Sequence, residues 1–224
     1  MGAVDFRLYL VTDRLRASGG DLLAAVGRAL AGGVRAVQLR EKDLPGREMH
    51  RLALALRQLT SRHGARLLVN DRVDVALAAG ADGVHLGVAS IPPGEARRLL
   101  GPQALIGCST HDLREVMEAE AGGADFVTFG PLYATPSKAA YGPPVGIGAL
   151  RRACAASRIP VFALGGVGAG NVCEVLGAGA WGAGAIGAIL AAPDPEAAAR
   201  ELAGRIGETV DRERTECRGK DGTP

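Results

Sequence analysis

Arg40 and Lys42 stand two residues apart, just past the short apolar run Val37-Gln38-Leu39. If that run is a strand, a spacing of two can point both side chains into the same mouth. Two fixed cations there suit a diphosphate, with Arg as a two-pronged donor and Lys as a point charge. The competing reading is an exposed ion pair with Glu41 or Asp43, a kind of contact that is common and weak. Asn70 and Asp71 close a second apolar run, Leu67-Leu68-Val69. An Asp in that place can be a hard ligand for Mg2+, which takes one or two carboxylates and completes its shell from phosphates and water. It can equally cap a helix starting at Arg72. A third run ends in Gly107-Cys108-Ser109-Thr110-His111. His111 can act as a base or acid near neutral pH, or sit in the first turn of the next helix and bond to backbone. His85, flanked by Val84 and Leu86, reads as a satisfied interior residue, and His50 and His63 have no expected role.

Side chains of these types need a frame that ends many strands at one face. Short apolar runs predict strands at 8–11, 36–39, 67–69, 83–86, 105–108, 126–129, 161–164 and 182–186. Between them the pattern predicts helices at 21–31, 46–62, 72–79, 93–100, 112–121, 148–156, 169–176 and 195–207. Asp21 and Asp112 are the expected N-caps. An internal echo supports this division. Gly33-Val34-Arg35-Ala36-Val37, Gly80-Ala81-Asp82-Gly83-Val84, Gly123-Ala124-Asp125-Phe126-Val127 and Gly179-Ala180-Trp181-Gly182-Ala183 each end a helix on glycine and enter a strand. They introduce every second strand, as a repeated two-βα unit would. Eight alternating strands and helices predict a single-domain α/β fold, a (β/α)8 TIM barrel over residues 1–207. An open doubly wound sheet is the alternative. Residues 208–224 lose the apolar period and read as a disordered charged tail. The loop 132–145 is the longest stretch without a predicted element, of the length that serves as a lid or binding loop. Gly165-Gly166 and the glycines between 184 and 187 follow the last two strands. There, such barrels commonly hold a phosphate on bare backbone amides.

Composition narrows the function classes. The chain has 224 residues, 47% hydrophobic but only 4% aromatic, so aliphatic strands and Ala-rich helices must carry the packing. A net charge of +2 gives no ground for nucleic-acid binding. No apolar stretch reaches membrane-spanning length. The N-terminus lacks the basic and long apolar regions of a signal peptide, so a cytoplasmic location is expected. Cys108, Cys154, Cys173 and Cys217 have no metal-ligand spacing and read as incidental thiols. The oligomeric state is left open.

Taken together the motifs resemble the thiamine phosphate synthase family, which includes the similar thiazole tautomerases. The resemblance rests on Gln38-Leu39-Arg40-Glu41-Lys42, Asn70-Asp71-Arg72-Val73-Asp74, Gly107-x-Ser109-x-His111, Gly130-Pro131-x-Tyr133-x-Thr135-x-Ser137-Lys138 and Gly165-Gly166-Val167. It covers residues 8 to about 206. It implies a (β/α)8 barrel that joins a pyrimidine, activated as its diphosphate, to a thiazole phosphate with release of pyrophosphate. It further implies that the pyrimidine diphosphate lies against Gln38, Leu39, Arg40, Glu41, Lys42, Asn70, Ser109 and Lys138. Among these, Arg40, Lys42, Ser109 and Lys138 would be the catalytic set. The thiazole phosphate would meet Thr135, Pro136, Ser137, Gly166, Ile186 and Gly187, and Mg2+ would bind at Asp71.

The chain departs from the synthase pattern after the fourth strand. Synthases usually read His-Leu-Gly-Gln-x-Asp, with the Asp as second metal ligand; here the stretch is His85-Leu86-Gly87-Val88-Ala89-Ser90. Gly187 also stands where a synthase usually has Ser. These changes resemble the tautomerases, which need no diphosphate or metal and in which the residue matching His111 is the proposed base. The retained Arg40, Lys42, Asn70, Asp71 and Lys138 have no obvious work in such an isomerase, so a Mg2+-dependent synthase is the leading expectation. A non-catalytic thiazole-phosphate-binding regulator is the alternative outside enzymes.

Overall fold

The computed structural model describes residues 4–134 and 143–220, with side chains through residue 212. Eight parallel strands close into a barrel in sequence order. They are β1 Leu8–Val11, β2 Ala36–Leu39, β3 Arg66–Asn70, β4 Gly83–Leu86, β5 Leu105–Thr110, β6 Phe126–Phe129, β7 Val161–Leu164 and β8 Gly182–Ala185. The seam is ordinary parallel pairing, with Leu8 opposite Ala183 and Leu10 opposite Ala185. The alternative of an open sheet is therefore excluded.

The strands are apolar on both faces because each face meets a separate core. Odd-and-even alternation sends Leu10, Val37, Leu39, Val69, Ile106 and Val127 outward against the helices. It sends Phe6, Tyr9, Ala36, Leu68, Phe126 and Phe162 into the barrel lumen. Four aromatic rings fill the lower lumen, with Phe6 edge-on to Phe126 at 5.6 Å and Phe126 to Phe162 at 5.4 Å. Gly107 makes this possible. A Cβ there would lie 2.4 Å from Phe126 Cζ and 2.6 Å from His85 Nδ1, so only glycine lets these two rings share the lumen.

The helices are α1 Leu22–Ala31, α2 Gly46–Arg62, α3 Val73–Ala79, α4 Pro93–Leu100, α5 Leu113–Ala121, α6 Gly146–Ala156, α7 Val172–Gly177, α8 Gly187–Leu190 and α9 Pro195–Lys220. Asp21 and Asp112 cap α1 and α5 as expected, accepting from Ala24 N at 3.0 Å and Glu115 N at 2.8 Å. Several boundaries differ from the sequence expectation. β5 continues through Ser109 and Thr110, because their pairing with Thr128 and Phe129 extends the ladder. α9 does not stop at Gly207 but runs on to Lys220, with Val210 packed on the outer core. Cys108, Cys154 and Cys173 are free thiols. Among the described residues no helix is long and apolar enough to cross a membrane.

Candidate active site

Of the expected site residues, Gln38, Arg40, Asn70, Asp71, Ser90 and Ser109 lie where β2, β3, β4 and β5 end, at the C-terminal mouth where barrels of this type build active sites. In β2 the alternation that sends Ala36 and Gln38 into the lumen carries Arg40 to the rim of the mouth. Thr12, buried just past β1, accepts the Arg40 amide at 2.8 Å and so ties the end of β2 to the end of β1. The same alternation points Leu39 and Glu41 away. Leu39 is fully buried in the outer core, so its side chain does not reach the mouth. Glu41 is buried and accepts from the Arg14 amide at 3.1 Å and from Arg14 Nη1 at 3.2 Å.

The fate of Glu41 decides how the two cations are read. Arg14 takes Asp43 as well, at 2.6 Å, and this hydrogen bond pulls the carboxyl pKa down to about 2. Both acids that could have paired with Arg40 or Lys42 are thus occupied. Among the described residues, Arg40 is half-buried and Lys42 exposed, and neither side chain has a carboxylate partner.

Asp71 resolves in a similar way. Its φ is 58°, and among the described residues it alone has positive φ without being glycine. Asp tolerates that left-handed conformation better than most side chains. The carboxylate consequently does not cap α3, whose N-cap is Arg72 with no side-chain bond. It faces the end of β4, where Oδ1 accepts from Gly87 N at 3.0 Å and from the Ser90 hydroxyl. Asn70 Nδ2 donates to Oδ2 at 2.7 Å. Ser90 therefore meets Asp71 directly, at the position where the resemblance expected a second acid. Among the described residues no three His, Cys, Asp or Glu side chains cluster as a metal cage. One carboxylate with a neighbouring hydroxyl and amide oxygen is still a hard-oxygen set. It fits Mg2+ in the mode that draws most ligands from phosphate and water.

Beneath the mouth lies a buried polar chain. Gln38 Nε2 donates to the Tyr9 hydroxyl at 3.0 Å, and that hydroxyl is 3.3 Å from His85 Nδ1. His85 Nε2 is 3.1 Å from Ser109 Oγ and 3.3 Å from Thr128 Oγ1. Burial pulls the His85 ring down to about 3; the Asp71 charge opposes this and Arg40 adds to it. The ring is neutral at physiological pH. The expectation of a satisfied interior histidine is met, and its partners now include a site residue.

On the far rim, Leu132 N bonds Leu164 O at 2.8 Å and Tyr133 N bonds Gly165 O at 3.0 Å, stitching the loop after β6 to the loop after β7. Asn171 Nδ2 holds Gly166 O at 2.9 Å. Ile186 precedes α8, and a Cβ on Gly187 would stand 3.7 Å from Arg16 Nη1. Arg16 is a cation beside this turn that sequence reasoning missed, since nothing local links residues 16 and 187. Tyr9 was missed because it read only as a strand residue. His111 is exposed, and its amide and Nδ1 both bond Glu115 Oε2, at 2.7 and 2.9 Å. Its contacts are those of a residue tied to the first turn of α5. Thr135, Pro136, Ser137 and Lys138 lie outside the described residues.

Comparison with known proteins shows the family. The family described as thiamine monophosphate synthase matches residues 8–189. A Geobacter sulfurreducens protein, itself named only provisionally as a thiamine-phosphate synthase, is 61% identical over 202 residues, covering 90% of this chain and 95% of that protein. The thiamine-phosphate synthase of Methanoculleus marisnigri is 46% identical over 201 residues, again 90% and 95% of the two chains. The solved structure of thiamine phosphate pyrophosphorylase from Pyrococcus furiosus superposes with a TM-score of 0.84 at 38% identity, covering 91% of this chain and 96% of that one. The chain belongs to the thiamine monophosphate synthase family.

Proposed function

We propose that this protein is a transferase of the thiamine phosphate synthase type. It condenses 4-amino-2-methyl-5-(diphosphomethyl)pyrimidine with thiazole phosphate, or its carboxylate, to give thiamine phosphate and pyrophosphate (with CO2 from the carboxylate). The methylene carbon–oxygen bond breaks, pyrophosphate leaves with the electron pair, and the thiazole nitrogen bonds to the methylene carbon. The observation that carries this reading is the pair of cations, Arg40 at the rim and Lys42 two residues on, left without carboxylate partners among the described residues while Arg14 takes both Glu41 and Asp43. Two such charges and the Ser109 hydroxyl suit a leaving diphosphate, whose negative charge grows as the bond breaks. Lys138 would add a third charge, and Gln38 and Asn70 would orient the anion. Gly166, Ile186 and Gly187, with Thr135, Pro136 and Ser137, would hold the thiazole phosphate. Asp71, with Ser90 beside it, would hold Mg2+, which when bound supplies positive charge against the diphosphate. The remaining work of the chain is to align the two rings and exclude water.

The test is a coupling assay with both substrates and Mg2+. Thiamine phosphate and pyrophosphate should appear, and His111→Ala should reduce the rate only modestly. If the protein instead aromatises the thiazole carboxylate phosphate without coupling, and His111→Ala abolishes that, the tautomerase reading replaces this one. The change to Val88-Ala89-Ser90 is the observation that favours it.

A further inference from the structure

The buried chain under the mouth has a direction, and that direction bears on Ser109. A phenol hydroxyl has one proton, and an amide NH2 can only donate. Gln38 Nε2 sits 3.0 Å from the Tyr9 oxygen and so fills an acceptor position on it. The phenol proton is then left for its other neighbour, His85 Nδ1 at 3.3 Å. A neutral imidazole that accepts at Nδ1 carries its proton on Nε2. Nε2 therefore donates, with Ser109 Oγ the nearer acceptor at 3.1 Å and Thr128 Oγ1 the farther at 3.3 Å. Ser109 accepts from below, so its own proton is released to point away from the lumen. Gln38, Tyr9, His85 and Thr128 are all almost fully buried, whereas Ser109 is half-exposed at the strand end. Among these residues, solvent reaches Ser109, on the side of the mouth.

We infer that Gln38, Tyr9 and His85 form a polarised relay that presents the Ser109 O–H as a donor to the anionic substrate. Tyr9 and His85 are then positioning residues that touch no substrate but set the sense of a hydrogen bond that does. The identity of the anion as a diphosphate rests on the function proposed above; the polarity of the relay does not. The opposite polarity is chemically possible. It would require Gln38 to turn its carbonyl to Tyr9, put the proton on His85 Nδ1, and draw the Ser109 proton down onto Nε2. Ser109 would then offer the mouth lone pairs, which repel a diphosphate. A relay matters for an anion site because a donor fixed in advance needs no reorganisation as charge develops.

Long-range 1H–15N NMR of the full-length protein with 15N-labelled imidazoles reads the tautomer directly. His85 should show a protonated Nε2 and a lone pair on Nδ1, its signals identified by their loss in His85→Gln. Calorimetry with inorganic pyrophosphate and Mg2+ supplies the second readout. Tyr9→Phe should weaken pyrophosphate binding about tenfold, the order of one charge-assisted hydrogen bond. His85→Leu should do the same, and His85→Gln, whose amide can still donate to Ser109, should recover most of the loss. In the coupling assay, Tyr9→Phe should raise KM for the pyrimidine diphosphate and leave KM for the thiazole phosphate unchanged. A protonated Nδ1 in the wild-type protein overturns the relay, whatever the variants do. So does wild-type pyrophosphate affinity in folded Tyr9→Phe and His85→Leu. Failure of the wild type to form thiamine phosphate would instead remove the synthase reading and leave the tautomer result standing.

Discussion

The two ends of the barrel use the same residue types for opposite purposes. At the N-terminal end, each acid of the internal echo is bound to a strand amide and to an arginine, Asp125 through Oδ2 alone, since its buried Oδ1 has no hydrogen-bond partner among the described residues. Asp82 Oδ2 accepts from Leu67 N at 2.7 Å and pairs with Arg57 of α2. Asp125 Oδ2 accepts from Ile106 N at 2.7 Å and pairs with Arg97 of α4, also at 2.7 Å. Each acid clamps the start of one strand to its neighbour and to a helix. At the C-terminal end, Arg40 at the rim and the exposed Lys42 have no carboxylate partner among the described residues, and Asp71 is held by a hydroxyl and amides rather than by a cation. Charge that is neutralised within the chain serves cohesion. Charge held in place but not neutralised is available to a ligand.

That contrast can be broken from either side. The largest expected effect is at the closed end. Asp125→Ala removes the carboxylate of a buried pair and leaves Arg97 with backbone carbonyls but no counter-charge, which should cost about 3–5 kcal/mol of stability. Urea unfolding measures it, and turnover per folded molecule should stay at the wild-type value. A loss below 1 kcal/mol would mean that the clamp is incidental. At the open end the pattern reverses. Lys42→Ala should lower the coupling rate on the order of a hundredfold while the unfolding free energy changes by less than about 0.5 kcal/mol. Unchanged kinetics would make Lys42 an ordinary surface lysine.

Ser90→Asp sharpens the comparison by placing a second acid against Asp71. Without metal the two like charges should lower the melting temperature, and Mg2+ should restore it. Titration with Mg2+ and pyrophosphate should show about tenfold tighter metal binding, by gain of a second hard ligand. Equal or weaker binding would show that Ser90 lies off the metal position. The smallest effect belongs to charges at neither end. Arg205 and Glu201 pair on the exposed face of α9 at 3.1 Å. Arg205→Ala should change stability by no more than about 0.5 kcal/mol and activity not at all. A larger loss of either would extend the functional surface to α9.

By itself the sequence determined the barrel and the order of its strands. Apolar runs of strand length alternate with helical patterns, and glycine-led echoes mark every second strand entry, so local signals agree along the whole chain. It also placed Arg40, Lys42, Asn70, Asp71 and Ser109 at strand ends, because that placement follows from position within a run. Its boundaries failed where packing overrode pattern, as in α9, which passes Gly207 with Val210 on the outer core. Only the tertiary structure decided what each polar group faces. Whether Asp71 capped α3 or turned to β4 depended on one left-handed residue and on Gly87 and Ser90 coming within reach. Whether Glu41 neutralised Arg40 depended on Arg14, from a different strand's loop. The chain from Gln38 through Tyr9 and His85 to Ser109 draws on four different strands. Such contacts are set by the register of each strand against the next around a closed sheet. No pattern within a single run of residues encodes that register.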